Sequence, residues 1–440
     1  QSLGFTSMPG FGLHSITVPG CADGWGVASE RFGRLGLARA LAPAIAYARE
    51  GFPVGPSLHR ALAFMTTAPH THASFRQHFL PNGAVPPTGS MLRRPELANT
   101  LEAIARYGPG VFYSGAVGEQ IAAFFQREGG LITREDLAAH VSDWVTPLCV
   151  PFAGLDIYEL PPNTQGVTAL QMLGMLDGLA LGEGPLAPET VHIMVEAKKI
   201  AWADRAEYLG DPMHMRIDPA QLITPEYLAQ RRALIDPERA QPSLAPGSFD
   251  GDTIYLCAAD EEGNAVSLIQ SNYRGFGSGL VVDGTGIVLH NRGAYFTLVP
   301  GGPNTLAPGK RPLHTLIPSL AMKHDRPAII FGTMGGDTQP LIHAQVYTAL
   351  ARYGLNIQAA IELPRWAHGV EQPGTPEALH MESRFPAETV AELRRRGHRL
   401  AEIGPWDAAV GHAQGIVIDA ETGVFSGGAD PRAEGIAAGW

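Results

Sequence analysis

The chain has 440 residues, of which 45% are hydrophobic and 17% charged, so it is long enough to bury a large core and reads as globular. Its 43 acidic and 32 basic residues give a formal charge of -11, which repels phosphate backbones and anionic lipid headgroups and argues against nucleic acid or membrane partners. No stretch reaches the ~18 consecutive apolar residues of a membrane span, and the first ten residues lack the basic and apolar regions of a signal peptide. We therefore expect a soluble protein.

The cysteine pattern indicates the compartment. Cys21, Cys149 and Cys257 are odd in number and widely spaced, and none belongs to a C-x-x-C pair. This pattern predicts neither a disulfide framework nor a zinc knuckle and favours a reducing environment. We expect a cytoplasmic location.

The first half of the chain is predicted to be rich in helices. Apolar residues recur at helical spacing over 37–50, and Gly51 follows where a helix would end. A second helix is predicted from Pro95 to the residue before Gly108. Similar patterns predict helices over 117–128, 170–179 and 191–208, and Thr133 with Asp136 forms a capping pair at the start of a further short helix.

The pattern changes at about residue 241. The segment 241–252, QPSLAPGSFDGD, has the composition of an exposed loop. After it, apolar runs at 253–259 and 265–271 joined by DEEGN predict a β-hairpin. Further strands are predicted at 287–289 and 328–332, so strands dominate this part of the chain.

Three common kinds of site find little support in the sequence. The run GFGSGLVVDGTG lacks the Lys-Ser/Thr pair of a phosphate-binding loop and favours tight turns between strands. No serine stands in a G-x-S-x-G elbow, which argues against a common class of serine hydrolase. His70, His72 and His78 include an H-x-H pair but lack an evident fourth ligand, so a solvated loop is expected there. H-E-x-x-H is absent, and we predict no catalytic metal and no cofactor.

A series of sequence blocks nevertheless carries a resemblance. Taken alone, Thr253 is an ordinary β-branched residue that opens a strand. In order along the chain, however, several blocks resemble the gamma-glutamyltranspeptidase family and together cover nearly all of it: VPGCADGW, FYSG to GGLITREDLAAH, PPNTQG, EAKKIAWADRAEYLGDP, GDTIYL, DEEGNAVSLIQSNYRGFGSGLVVDGTGI, APGKRPLHTLIPSLA, GTMGGDTQP and GGADPRAEGIAAGW.

The resemblance implies a four-layer αββα sandwich of the N-terminal-nucleophile type. In that family a proenzyme cuts itself before a threonine, and the matching bond lies between Asp252 and Thr253. This implies a large subunit from 1–252, lacking an N-terminal segment of the family, and a small subunit from 253–440. A freed threonine supplies a hydroxyl nucleophile and an α-amine whose pKa of roughly 7.7–8.0 suits a general base.

The family's other catalytic positions match residues of this chain. Its oxyanion hole, built from two consecutive glycine amides, corresponds to Gly335 and Gly336. The alternative is that these two glycines only form a tight turn, without a catalytic role. A hydroxyl residue that binds the nucleophile's amine corresponds to Ser271.

The substrate pocket departs from that of true transpeptidases. Tyr295 stands where an acidic residue holds the substrate's α-amine, and His314 and Thr315 replace a serine pair that grips its carboxylate. Arg292 replaces a neutral amide and is a candidate to bind a substrate carboxylate, or equally to pair with a structural one. Tyr273 is a secondary candidate for substrate contact.

These features resemble the acylase-like branch, which includes oxamate amidohydrolase, so hydrolysis of a small acyl amide is the expected reaction. An amine acceptor could compete with water, and a homo-oligomer is possible. Two alternatives stay open. One is true γ-glutamyl transfer or glutathione hydrolysis, and the other is a non-catalytic member whose chain stays uncut.

Overall fold

In the computed structural model, residues 3–242, 252–369 and 377–440 are described. The chain divides into two compact units, of which the first comprises Gln1–Trp144 and Asn272–Leu298 and the second Val145–Ser271 and Val299–Trp440. None of the helices in the described ranges combines the length and the apolar character that a membrane span requires. Most of the predicted loop at 241–252 lies outside the described residues.

The first unit is mainly helical. Its first 144 residues form α1 (Cys21–Phe32), α2 (Leu37–Glu50), β1 (Phe52–Pro53), α3 (Pro56–Thr67), α4 (Ala73–Phe79), β2 (Met91–Leu92), α5 (Pro95–Tyr107), α6 (Gly110–Tyr113), α7 (Ala116–Glu128) and α8 (Arg134–Ala138). The next stretch of the chain, which opens the second unit, contains β3 (Leu148–Phe152), β4 (Leu155–Glu159), α9 (Gly166–Asp177), α10 (Pro188–Tyr208), α11 (Pro225–Arg232), β5 (Asp252–Ala259) and β6 (Ala265–Tyr273).

The chain then returns to the first unit for a short hairpin and completes the second unit. The hairpin consists of β7 (Val281–Val282) and β8 (Ile287–Val288). The remaining elements are β9 (Ser319–Lys323), β10 (Arg326–Met334), α12 (Gln339–Tyr347), α13 (Ile357–Glu362), β11 (Trp366–Gly369), β12 (Ala378–Glu382), α14 (Ala387–Arg395), β13 (Leu400–Ile403), β14 (His412–Ile418) and β15 (Phe425–Ala429).

The helix predictions in the first half are confirmed, with small shifts at the ends. α2 and α5 have the predicted bounds, and α9 and α10 begin four and three residues earlier than expected. The Thr133 side chain accepts from the Asp136 backbone while the Asp136 carboxylate accepts from the Thr133 N–H, which completes the predicted capping box.

The hairpin β7–β8 organises the interior of the first unit. Neighbouring residues of a strand point to opposite faces. Val282 accordingly joins one apolar cluster with Ile121 and Phe124, whereas Val281 joins another with Leu62 and Phe75. The glycines of the run that contains this hairpin, Gly275, Gly277, Gly279, Gly284 and Gly286, all have positive φ. The expectation of tight turns is thus confirmed.

The expectation of a solvated histidine loop at 70–78 was wrong. His72 caps the N-terminus of α4 by accepting a hydrogen bond from the Ser74 N–H, and His78 lies inside that helix. His78 contacts the Glu96 carboxylate at 2.7 Å, and the His70 ring stacks on Phe11 with ring centroids 3.7 Å apart. The three side chains therefore have separate structural roles, which the polar composition of the segment did not reveal.

A six-stranded antiparallel sheet is the centre of the second unit. Its strand order is β15-β14-β10-β9-β4-β3. In β10, Phe331 contacts His343 and Tyr347 of α12, whereas a side chain on Gly332 would clash with the Tyr255 ring of β5. Since consecutive strand residues face opposite sides, α12 and the β5–β6 hairpin cover opposite faces of this sheet. The layers are thus helix, sheet and hairpin.

A buried ionic network joins one end of a second sheet to the segment that follows β15. β12 lies between β11, which is antiparallel to it, and β13, which is parallel and follows α14. Arg432 binds Glu382 at 2.7 Å and Asp430 at 3.1 Å, and Arg365 also pairs with Asp430. All four side chains are almost fully buried, so each charge depends on its partners for stabilisation.

Candidate active site

The predicted nucleophile lies at the start of the β5–β6 hairpin. Thr253 is the second residue of β5 and is partly buried. Its hydroxyl donates to the Ser271 hydroxyl in β6 at 3.0 Å. The hairpin brings the two residues together because Asp260, at its turn, accepts backbone hydrogen bonds from Gly263 and Asn264 through its carbonyl and carboxylate.

The structure describes the uncut chain, since Asp252 and Thr253 are consecutive residues of one strand. In this uncut chain, Ser271 binds the side-chain hydroxyl of Thr253. Its predicted contact with the free amine concerns the chain after cleavage and stays a prediction.

The two predicted oxyanion glycines form a tight turn between β10 and α12. Gly335 and Gly336 have φ of 154° and 52°, and the second value lies in the left-handed region that favours glycine. A side chain on Gly335 would come within 2.7 Å of the Thr338 hydroxyl. Thr338 binds the Gly335 carbonyl through its backbone N–H at 2.9 Å and its hydroxyl at 2.7 Å. The turn leads directly into α12, whose N-terminal end carries partial positive charge.

The hairpin of Thr253 packs against the strand that ends in this turn. Tyr255, two residues after Thr253, fills the space above Gly332, three residues before Gly335. The Tyr255 hydroxyl is bonded to Ser267 at 2.8 Å, and burial raises the pKa of this phenol well above its usual value. Tyr255 is therefore a neutral packing residue that fixes β5 on β10.

His314 and Thr315 are held by the segment between β4 and α9. His314 pairs with Thr164 in an isolated bridge, and its N–H donates to the Asn163 carbonyl at 2.8 Å. The Asn163 side chain donates to the Pro312 carbonyl at 2.7 Å. Thr315 is fully buried. Both residues thus belong to a well-anchored loop in the same unit as Thr253 and the glycine turn.

A residue that the sequence did not single out connects this loop to the glycine turn. The Gln165 carboxamide donates to the carbonyls of Thr315 and Gly336 at 3.2 and 3.0 Å. The sequence showed Gln165 only as part of the PPNTQG block. Gln165 is uncharged, and the two carbonyls it binds are far from it along the chain, so no sequence pattern identified it as a site residue.

The remaining predicted substrate contacts, Tyr273, Arg292 and Tyr295, lie together in the first unit. The Arg292 guanidinium lies 4.7 Å from the centre of the Tyr273 ring, and the Tyr273 and Tyr295 rings meet edge to face at 5.4 Å. Tyr273 has a φ of 81°, a conformation that costs free energy in a residue other than glycine. Such strain is common at functional positions.

His290 supports the backbone of Arg292. Its Nδ1 accepts from the Arg292 N–H at 3.0 Å. Burial, with the nearby Arg292 charge as a further cause, lowers the pKa of His290 to about 4. The imidazole is therefore neutral at pH 7, and Arg292 supplies the positive charge at this point.

One group of side chains in the described ranges has the geometry to hold a metal ion, and it lies elsewhere in the second unit. The ligand atoms of His192, Glu196 and His398 lie within 4.8 Å of one another. However, Lys199 binds Glu196 at 2.6 Å, and His192 joins His398 at 2.7 Å and the Asp236 carbonyl at 2.8 Å. These three side chains therefore already have hydrogen-bond partners. Together with Lys199 they form a network that holds the segment at 236–241.

Comparison with known proteins decides the family. A family model described as Gamma-glutamyltranspeptidase matches residues 2–440. The chain belongs to this family. The oxamate amidohydrolase proenzyme of Klebsiella pneumoniae is 38% identical over 431 residues, covering 97% of this chain and 81% of that protein. The glutathione hydrolase-like proenzyme of Bacillus subtilis is 36% identical over 448 residues, covering 99% and 83%.

A solved structure supports the same assignment. The crystal structure of cephalosporin acylase from Bacillus halodurans matches with a TM-score of 0.93 and 39% identity, covering 100% of this chain and 81% of that one. The resemblance inferred from the sequence blocks is thus confirmed, as is the mixed helix-and-sheet fold of gamma-glutamyltranspeptidases and acylases. The chain is an enzyme of the N-terminal-nucleophile hydrolase and transferase class.

Proposed function

We propose that this member of the gamma-glutamyltranspeptidase family cuts itself before Thr253 and then hydrolyses a small acyl amide through an ester on that residue. The observation that carries the proposal is the hydrogen bond between Thr253 and Ser271 at the start of a hairpin that packs on the strand leading to the Gly335–Gly336 turn. The cut would give subunits 1–252 and 253–440 that stay together in an αββα sandwich.

Self-cleavage would begin with attack of the Thr253 hydroxyl on the Asp252 carbonyl carbon. The C–N bond between the two residues breaks, the acyl group moves to the hydroxyl oxygen, and the nitrogen gains a proton to become an α-amine. Water then hydrolyses the ester, which leaves a carboxylate on Asp252 and a free hydroxyl on Thr253. The new amine, with an ordinary pKa of about 7.7–8.0, is the base of the mature enzyme.

Turnover would use the same hydroxyl on an external amide. The amine accepts the hydroxyl proton as the oxygen attacks, and the backbone N–H groups of Gly335 and Gly336 stabilise the negative oxygen of the tetrahedral intermediate. The amine then protonates the leaving nitrogen, and water releases the acid. Relatives named oxamate amidohydrolase and cephalosporin acylase, together with Arg292, favour an acyl amide that carries a carboxylate.

Intact-protein mass spectrometry of fresh and incubated enzyme tests the proposal. The wild-type protein should give two fragments that meet between Asp252 and Thr253, and Thr253→Ala should remain a single chain without amidase activity. Thr253→Ser keeps a hydroxyl and should still cut, more slowly. Two fragments from Thr253→Ala would contradict the proposal, and a stable, inactive wild-type chain would support the uncut, non-catalytic alternative.

The same preparation distinguishes acyl-amide hydrolysis from γ-glutamyl transfer. Tyr295, at the position of the acidic residue that binds the α-amine in true transpeptidases, favours hydrolysis. Consumption of glutathione without activity on acyl amides would instead support the transferase or glutathione hydrolase alternative.

A further inference from the structure

Gln165 makes an unusual set of buried contacts next to the glycine turn. It is fully buried and immediately precedes α9. Its Oε1 accepts from Arg205 Nη1 at 2.6 Å, while its Nε2 donates to the carbonyls of Gly336 at 3.0 Å and Thr315 at 3.2 Å. One carboxamide thus joins two backbone segments that are distant along the chain.

Arg205 fixes which way this carboxamide points. A guanidinium has donors only, so the atom of Gln165 that faces it must be the oxygen, and the NH2 group must face the two carbonyls. Arg205 is itself held at 2.6 Å by Asp337, the residue after Gly336, and its guanidinium packs over the Trp202 ring at 4.8 Å. The side chains of Asp337, Arg205 and Gln165 therefore link two neighbouring points of the turn.

These contacts fix both peptide planes that flank Gly336. The Gly335 carbonyl and the Gly336 N–H share one plane, which Thr338 holds through the carbonyl. The Gly336 carbonyl and the Asp337 N–H share the next plane, which Gln165 holds. The direction of the Gly336 N–H, which the proposed mechanism uses, is consequently set from both sides. A donor that needs no reorientation during the reaction stabilises an oxyanion most effectively.

We infer that Gln165 is a positioning residue that aligns the Gly336 N–H and ties it to the His314–Thr315 loop. The inference rests on the proposed function, in which that N–H binds the oxyanion. Gln165 touches no reacting atom and acts through the two carbonyls it binds. Because every acyl amide forms the same oxyanion, loss of Gln165 should lower kcat for all substrates by a similar factor and change KM little.

The test is Gln165→Met, which keeps the side-chain length and removes all three hydrogen bonds. Its matched control is Gln171→Met, inside α9, where a fully buried carboxamide binds Asp204 at 2.8 Å outside the site. We expect kcat per active molecule, counted by titration of the acyl-enzyme, to fall about 10–100-fold in Gln165→Met and to stay near wild type in Gln171→Met. An unchanged kcat in Gln165→Met would overturn the inference.

A second variant tests the same inference in case Gln165→Met does not fold. Asp337→Asn removes the carboxylate that orients Arg205 and should produce a smaller loss of kcat, again with little change in KM. A wild-type kcat in Asp337→Asn, or a loss confined to the KM of one acyl group, would also overturn the inference. Rates are measured only on protein that mass spectrometry shows to be cut before Thr253. An uncut wild-type chain, or an active Thr253→Ala variant, would instead contradict the proposed function itself.

Discussion

The hydroxyl groups of Thr253 and Ser271 lie 3.0 Å apart, although 18 positions separate the two residues along the chain. Thr253 donates, so Ser271 holds the threonine hydroxyl in a defined orientation. Ser271→Ala should therefore slow self-cleavage and turnover about 2–10-fold without abolishing either, since one neutral hydrogen bond contributes roughly 0.5–1.5 kcal/mol. Time courses of fragment formation and of amide hydrolysis measure the effect.

Ser267→Ala provides the control on the same strand. Ser267 binds the Tyr255 hydroxyl rather than Thr253, so its loss should lower the melting temperature while sparing the cleavage rate. Equal loss of cleavage in both variants would show that the effect of Ser271 comes from strand stability alone.

Gly336 should tolerate no side chain without loss of activity. Its φ of 52° disfavours a Cβ, and alanine would push the backbone away from the geometry that aims its N–H. We expect Gly336→Ala to lower kcat about 100-fold, the scale of losing one oxyanion donor. Gly354→Ala is the control, because Gly354 has a similar φ of 68° and open space around it. A similar kcat loss in both variants would contradict a specific role for Gly336.

Arg292 should determine the preference for acidic substrates. Arg292→Gln is expected to lower kcat/KM for acyl amides that carry a carboxylate by about 10–100-fold more than for neutral ones, because a charge-assisted bond is worth about 1.5–3 kcal/mol. The ratio of the two substrates cancels any change in the amount of folded enzyme. Arg134→Gln, at an exposed ion pair with Glu119, should leave the ratio unchanged. Equal losses on both substrate types would remove Arg292 from substrate binding.

Asp430 should make the stability of the second unit sensitive to acid. Burial opposes ionisation of this carboxyl, but the charges of Arg365 and Arg432 outweigh burial and hold its pKa below the usual value. The stabilisation is therefore present above the unfolded pKa of about 3.9 and is lost as the pH falls through the lower folded pKa. Asp430→Asn leaves two buried cations short of a partner and should cost about 3–5 kcal/mol at pH 7.

Denaturant unfolding between about pH 7 and pH 2, which extends below the unfolded pKa of about 3.9, measures this dependence. The difference between wild type and Asp430→Asn should shrink toward the acid end. Asp419→Asn is the control, since the exposed Asp419 only accepts bonds from a turn and should give a much smaller effect at every pH. A constant difference between wild type and Asp430→Asn would show that ionisation of Asp430 does not stabilise the fold.

Local patterns were sufficient to place several elements. The periodicity of 37–50, the Pro and Gly at the two ends of α5, and the Thr133–Asp136 capping box act within a few residues, and the structure agrees with each. The bounds of α4 were not predictable in this way. Polar histidines obscured its helical pattern, and the packing of Phe75 and Phe79 into the first unit stabilises it.

The sequence by itself determined the family, the candidate nucleophile and the glycine pair. An ordered series of short sequence blocks can be matched to a family without knowledge of the fold. Only the tertiary structure revealed the contact of Thr253 with Ser271 and the bonds from Gln165 to carbonyls 150 and 171 residues away. A buried polar side chain must find its partners wherever folding brings them, and neither periodicity nor composition encodes that choice. The same holds for the ionic network of Asp430, whose partner Arg365 lies 65 residues away in the chain.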